Sequence, residues 1–232
     1  MRGRFDLARP LLRFITSHFH RPTGGFFATA NGRRDGKGTQ EIMTTSLAAL
    51  ACLWAGNVDV AMMAGRWLKQ LYEAQPDLSK GLYHVWDSEN GLVVNFPKAD
   101  AVSFLVDATA TQQWYFQYGI SAAFLSSLYG ATQDDTWLQL AQQYLRASRY
   151  CRDDVYLCPT SGKIGWGSAW TYRYTADLDD KRRAEAVAGG LIALQKENGC
   201  WISDSEEADA GGTIDETAEF VGFQGAISLV IE

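Results

Sequence analysis

Residues 112–130 read QQWYFQYGISAAFLSSLYG, and the reading of this stretch decides the fold. It contains no charge, and none appears between Asp107 and Asp134. Trp114, Tyr115, Phe116, Tyr118, Ile120, Phe124, Leu125, Leu128 and Tyr129 fall on every side of a helical projection. A surface helix would carry one apolar stripe, so this segment predicts a helix surrounded by protein. A membrane span would need roughly 20 predominantly apolar residues. Glutamines at 112, 113 and 117 and serines at 121, 126 and 127 interrupt any such run.

Working outward, the same signature recurs. MTTSLAALACLWAG (43–56) is chargeless and apolar nearly all round, with Gly56 placed to end a helix. KIGWGSAWTYRYT (163–175) is a third inner candidate, although glycines at 165 and 167 each cost a helix roughly 1 kcal/mol relative to alanine. ETAEFVGFQGAISLVIE (216–232) is the fourth, with Glu216 and Glu219 expected in its first turn. Between these lie one-faced helices. The segment 6–18 is expected to start near Arg9, because Pro10 fits only a first turn. Next come 59–75, with Asp59 as its cap, then 135–150, and then the segment DKRRAEAVAGGLIALQKEN from Asp180. The region 20–40, with its glycine-rich NGRRDGKG, reads as loop, and GLYHVWDSENGLV (81–93) alternates like strand.

The pattern is all-α: one domain over 1–232, an α/α toroid of alternating outer and inner helices. Connections from inner to outer helices are tight, and those from outer to inner are long. If the inner helices run parallel, every long loop gathers at their N-terminal ends, and that face is where a pocket belongs. Composition narrows the ligand. A net charge of −6 and a pI near 5.1 remove the usual attraction to nucleic acid or anionic membrane. Cys52, Cys151, Cys158 and Cys200 show no CxxC spacing and read as reduced thiols, and the N-terminus lacks a signal-peptide core, so a cytoplasmic protein is expected.

The Gly-aromatic punctuation (GGFF at 24–27, GLY at 81–83, GCW at 199–201) and paired helices resemble the α/α-toroid superfamily of terpenoid cyclases and protein prenyltransferase β-subunits. The run from Trp114 through SGKIGWG to ETAEF is similar to small toroid proteins of natural-product pathways. The resemblance spans about 40–230 and implies a cofactor-independent cyclase or isomerase of an aromatic or prenylated metabolite. A full six-hairpin barrel needs about twelve helices. This chain has fewer, which leaves an incomplete barrel or one completed by a second subunit, such as a homodimer.

Several residues carry candidate chemistry. Asp177-Leu178-Asp179-Asp180 fits the DxDD pattern of alkene-protonating cyclases, but it sits in an inner-to-outer turn where Asp179 or Asp180 would cap a helix. On the open face, Glu219 is expected as a general acid and Asp107 as its runner-up, because a carboxyl walled by aromatic rings is disfavoured as the anion. Glu216, one turn from Glu219, reads as substrate-binding or as a helix-dipole charge. Lys163 would hold an anionic substrate group, or else pair with Asp153 and Asp154. Trp114, Tyr115, Trp166 and Trp201, with His84 and Trp86 on the 81–93 loop, would wall the pocket, and Trp170 lies nearby. The three histidines lack ligand spacing, so no metal is expected, and no GxGxxG, P-loop or GxSxG motif is present. Two other readings stay open. One is a carbohydrate-active toroid hydrolase or lyase with tryptophans stacking on sugar rings and Asp87 and Glu89 on the loops. The other is a non-catalytic helical binding module.

Overall fold

The structure is a computed structural model that describes residues 5–201 and 210–231. Along the chain come α1 (Phe5–Thr16), α2 (Ala30–Asp35), β1 (Thr39–Glu41), α3 (Ile42–Trp54) and α4 (Val58–Glu73). Then follow β2 (Gly81–Tyr83), β3 (Val85–Asp87), β4 (Gly91–Leu92), β5 (Leu105–Asp107), α5 (Phe116–Thr132) and α6 (Asp135–Ala147). The chain continues through α7 (Gly162–Thr175), α8 (Leu178–Leu194) and α9 (Ala210–Ile231). Helices α3, α5, α7 and α9 form the inner row, with α4, α6 and α8 outside it, which is the α/α-toroid architecture.

The centre is α5, which packs most extensively against α7 and also meets α3, α4 and α6. Tyr118, Ile120, Phe124, Leu125 and Leu128 are all fully buried, as an apolar helix with no polar face requires. Helix α7 runs parallel to it. Gly119 lies against Lys163 at the start of α7, Ser126 Oγ is 2.9 Å from Thr171 Oγ1, and Gly130 meets the Tyr174 ring near the far end. The glycines that weakened the helix expectation for α7 are what permit its close packing, Gly167 against α5 and Gly165 against α8. A Cβ on Gly167 would lie 2.3 Å from the Gly119 carbonyl oxygen, and one on Gly165 2.8 Å from Val187. Helix α9 continues the parallel set, its Phe223 against Gly162 and its Ile227 against Gly165. Both α3 and α5 begin at the strand segment around His84, whose carbonyl accepts from Ile42 N–H at 3.1 Å.

The loops are more structured than their glycine content suggested. Two small antiparallel sheets, β1-β3-β4 and β2-β5, stand over the inner-helix N-termini. The 20–40 region, read as loop, contains α2, capped by Thr29 accepting from Gly32 N–H and ended by Gly36 at φ +69°. Other corrections are local. Helix α1 starts ahead of Arg9 with Pro10 inside it, and its Leu7, Leu11 and Phe14 are exposed rather than packed. Asn57, not Asp59, precedes α4. Helix α5 begins at Phe116, leaving 112–115 as an irregular lead-in with Gln112 at φ +56°. Helix α9 begins at Ala210, so Glu216 and Glu219 lie beyond its first turn and outside the reach of a terminal dipole effect.

On the opposite face the connections are short, and the DLDD segment belongs there. Asp177 caps α8 by accepting from Asp179 N–H at 2.9 Å, displacing the expected Asp179 or Asp180 from that role. Asp180 is buried against Arg183 at 2.8 Å, and Asp179 pairs with Arg149 at 2.8 Å. Each acid has a structural occupation, on the side away from the long loops. Among the described residues no helix is long and apolar enough to cross a membrane. All four cysteines are free thiols.

Candidate functional site

A cleft of about 220 Å³ opens on the long-loop face where α5, α7 and α9 converge. Helix α9 contributes Asp215, Glu216 and Glu219 on one side, with Phe220 and Phe223 below them. Phe116 at the start of α5, Lys163 at the start of α7, and Pro159 and Thr160 from the preceding loop form the other side. The spacing 216, 219, 220, 223 places these α9 side chains on one helical face. A larger hollow of about 410 Å³ lies beside the tight α3–α4 turn, lined by Arg21, Asn57, Asp59 and Met63. It holds a single carboxylate and belongs to the face that short turns close, so the chemistry concentrates in the smaller cleft.

Lys163 organises the cleft. Its side chain is only 11% exposed, and its Nζ contacts Glu219 Oε1 at 2.5 Å. The ammonium sits between two rings, 5.6 Å from the Phe116 centroid and 5.2 Å from that of Phe223. Cation-π attraction and the ion pair thus hold it from three sides. The expected pairing with Asp153 and Asp154 is not formed. Trp166 stacks on the other part of this cluster, its ring 5.8 Å from Phe223. Trp114 stacks on Phe116 at 5.8 Å and touches the cleft through that ring.

Asp154 does something different. Its Oδ1 accepts from Tyr115 Oη at 2.8 Å and its Oδ2 from Gln112 N–H at 2.7 Å. Tyr115 is fully buried, and burial together with the Asp154 carboxylate pushes its phenol well above the ordinary range, which keeps it a donor. Thr160 Oγ1 donates to the Gln113 carbonyl at 2.7 Å, so three hydrogen bonds tie the loops before α5 and α7 together.

Of the expected site residues, Glu219, Glu216, Lys163, Trp166 and Trp114 come together. The remainder are placed elsewhere. Asp107 lies in β5, and its carboxylate accepts from Thr109 N–H and Oγ1, both at 2.8 Å, which uses it to lock a turn. His84 is fully buried, donating from Nε2 to the Val102 carbonyl at 3.2 Å while Nδ1 faces Gln117 Nε2 at 3.3 Å. Burial depresses its pKa to about 4, so it is a neutral structural imidazole rather than a pocket group. Trp86 is buried in β3, opposite Gln40. Trp201 donates from Nε1 to the Leu191 carbonyl at 2.6 Å and packs edge-on against Phe220, behind the cleft rather than in it. Tyr115 is a buried strap. Asp87 receives Glu89 N–H and Asn90 N–H at 3.0 and 2.9 Å and fixes its own turn. Trp170 stacks with Arg173 on α7.

Glu219 also departs from the expected chemistry. A general acid of the cyclase type was to be desolvated by aromatic walls, whereas this carboxylate is 44% exposed and engaged by an ammonium. Asp215, Phe220, Phe223 and Phe116 were not singled out from the sequence. The signal for three of them was their helical register with Glu216 and Glu219, hidden by placing the start of α9 too late.

The comparisons agree with this fold. No family model matches the sequence, and no curated protein matches it. Among solved structures, a GH76 α-mannanase of Bacteroides thetaiotaomicron superposes with a TM-score of 0.61 at 15% identity, over 95% of this chain and 62% of its own. A possible GH105 member from Klebsiella pneumoniae gives 0.61 at 11% identity, over 98% of this chain and 64% of its own. The chain thus spans less than two thirds of the length of these toroid structures. Neither is a terpenoid cyclase, and the implied cyclase kinship finds no support.

Proposed function

We propose that the chain carries the glycan-cleaving site of a carbohydrate-active α/α-toroid hydrolase, located in the cleft between α5, α7 and α9. The observation that carries this reading is the pairing of a carboxylate-bearing face of α9 with an opposing aromatic and cationic wall. Glycoside hydrolysis needs one carboxyl to protonate the leaving oxygen and a second to activate water or attack the anomeric carbon. Glu216 and Glu219, one helical turn apart, supply such a pair. Glu219, engaged by Lys163, takes the role of the anionic member, and Glu216, the less exposed of the two, that of the acid. Phe116, Phe220 and Phe223 offer apolar faces to the C–H side of a sugar ring. The toroid neighbours lend support at the level of class, since both bear glycoside hydrolase family names.

Because one neighbour is an α-mannanase, manno-oligosaccharides are the first substrates to try, followed by a panel of other oligosaccharides. Each of Glu216→Gln and Glu219→Gln is expected to lower the release of reducing ends at least about 100-fold, in the range of lost general acid-base catalysis. Wild-type rates in both variants, or a wild-type protein inert on the whole panel, would overturn the proposal.

A further inference from the structure

We infer that Asp154 is the positioning residue of the cleft, strapping the loop before α5 to the loop before α7 and so setting where the Trp114–Phe116 wall stands against Lys163. This rests on the cleft being the glycan site. Both carboxylate oxygens are spent across 39 or more residues of sequence, one on the Tyr115 hydroxyl and one on the Gln112 amide. Gln112 stands at φ +56°, a left-handed conformation that residues other than glycine rarely adopt. A non-glycine residue stays there only when its surroundings hold it, and the bond from Gln112 N–H to Asp154 at 2.7 Å is the hold on that peptide. Two residues on is Trp114, and after it Phe116, whose ring meets Lys163 and lines the cleft. The strap therefore acts on the wall that faces the substrate, at one remove from the reacting carboxyls on α9.

Releasing the strap should let 110–116 relax while α7 and α9 stay in place. In the intact protein, Asp154→Asn is expected to raise backbone hydrogen exchange across 110–116 about tenfold and leave 163–175 unchanged, the pattern of a local opening. A displaced wall weakens binding of ground and transition states alike, so KM for the cleaved oligosaccharide should rise about tenfold with kcat within about twofold. Adding Gln112→Gly should move KM back toward the wild-type value, because glycine takes the left-handed conformation without being held. A purely structural defect would not be rescued in this way. Unchanged exchange over 110–116 in Asp154→Asn, or an unchanged KM, would overturn the inference. If no oligosaccharide is cleaved by any form, the glycan reading fails by itself and the exchange measurement still decides whether Asp154 holds the loop.

Discussion

Helices α5 and α9 are written in nearly the same language and live in different surroundings. Over its last dozen residues α9 is as free of charge as α5, and both mix large apolar side chains with glycine and serine. Yet α5 has protein on every side, whereas α9 leans on α7 and α8 and leaves Ile214, Val221 and Leu229 exposed, the last at 87%. The glycines make the contrast sharper. A Cβ on Gly119 of α5 would lie 2.0 Å from the Lys163 carbonyl oxygen, while one on Gly222 or Gly225 of α9 would meet none of the described residues within 4 Å. Helices α5 and α7 meet at glycine-to-backbone distance. One face of α9 carries the same device, and the described residues do not occupy it. The solved toroids that superpose on this chain are longer by more than half again.

The most direct way to break the comparison is to add one methyl group to each helix. Gly119→Ala should destabilise by about 3 kcal/mol, the upper part of the range for overpacking, because helix backbones would have to part. Gly222→Ala should instead stabilise by up to about 1 kcal/mol, the difference in helix propensity at an unobstructed site. Urea denaturation of the two variants reads both signs. A destabilised Gly222→Ala would show that in solution something covers α9.

This contrast also marks how far the sequence could be read. Absence of charge around the whole helix identified α3 and α5 as one kind, because only burial makes such a pattern tolerable, and α7 and α9 joined them by their apolar runs and their places in the outer-inner alternation. It could not say on how many sides each would be covered, since that depends on the neighbouring elements. The site divides in the same way. Glu216, Glu219, Lys163 and Trp166 were legible because helical register fixes which residues share a face. Asp107, His84, Trp86 and Trp201 were misplaced because their roles are set by hairpin register and turn geometry. In hindsight Asp107-x-Thr109 and Asp87 through Asn90 are turn-locking patterns, in which a carboxylate accepts the backbone N–H two or three residues on. Asp154 gave no local signal at all, because its partners are 39 and 42 residues away.

A second test separates the two helices by the polar side-chain contact that ties each to its surroundings. Helix α5 is tied through Gln117 to the buried imidazole of His84, and α9 through Glu219 to Lys163. An imidazole with its pKa depressed to about 4 in the fold takes up protons in the unfolded chain first, from about pH 6.5 downward. Its contribution is therefore complete above pH 6.5, falls as the pH drops, and is exhausted near pH 4, where the folded protein is protonated as well. The loss over that window is roughly 3 kcal/mol at 1.36 kcal/mol per unit. His20, also lowered by burial, adds a change of the same sign. Stability measured from pH 7 to pH 4 should decline steeply in the wild type and less so in His84→Gln. Equal slopes in the two would remove His84 from the account.

The contact that α9 makes through Glu219 should respond to salt. The Lys163–Glu219 pair has one partner largely sheltered and the other nearly half in water, and exposed pairs contribute about 0–1 kcal/mol. Glu219→Gln, which keeps an oxygen able to accept from the ammonium, should therefore change the unfolding midpoint by no more than about 1 kcal/mol in free energy, less still in high salt. This smallest effect bears most on the function. Beside a 100-fold loss of glycan cleavage, an almost unchanged stability would assign that loss to the missing carboxylate and not to a disturbed cleft. If Glu219→Gln instead unfolded the protein as readily as a methyl on Gly119, the ion pair would be a keystone of the α7–α9 contact, and the difference between the enclosed helix and the open one would be smaller than their burial implies.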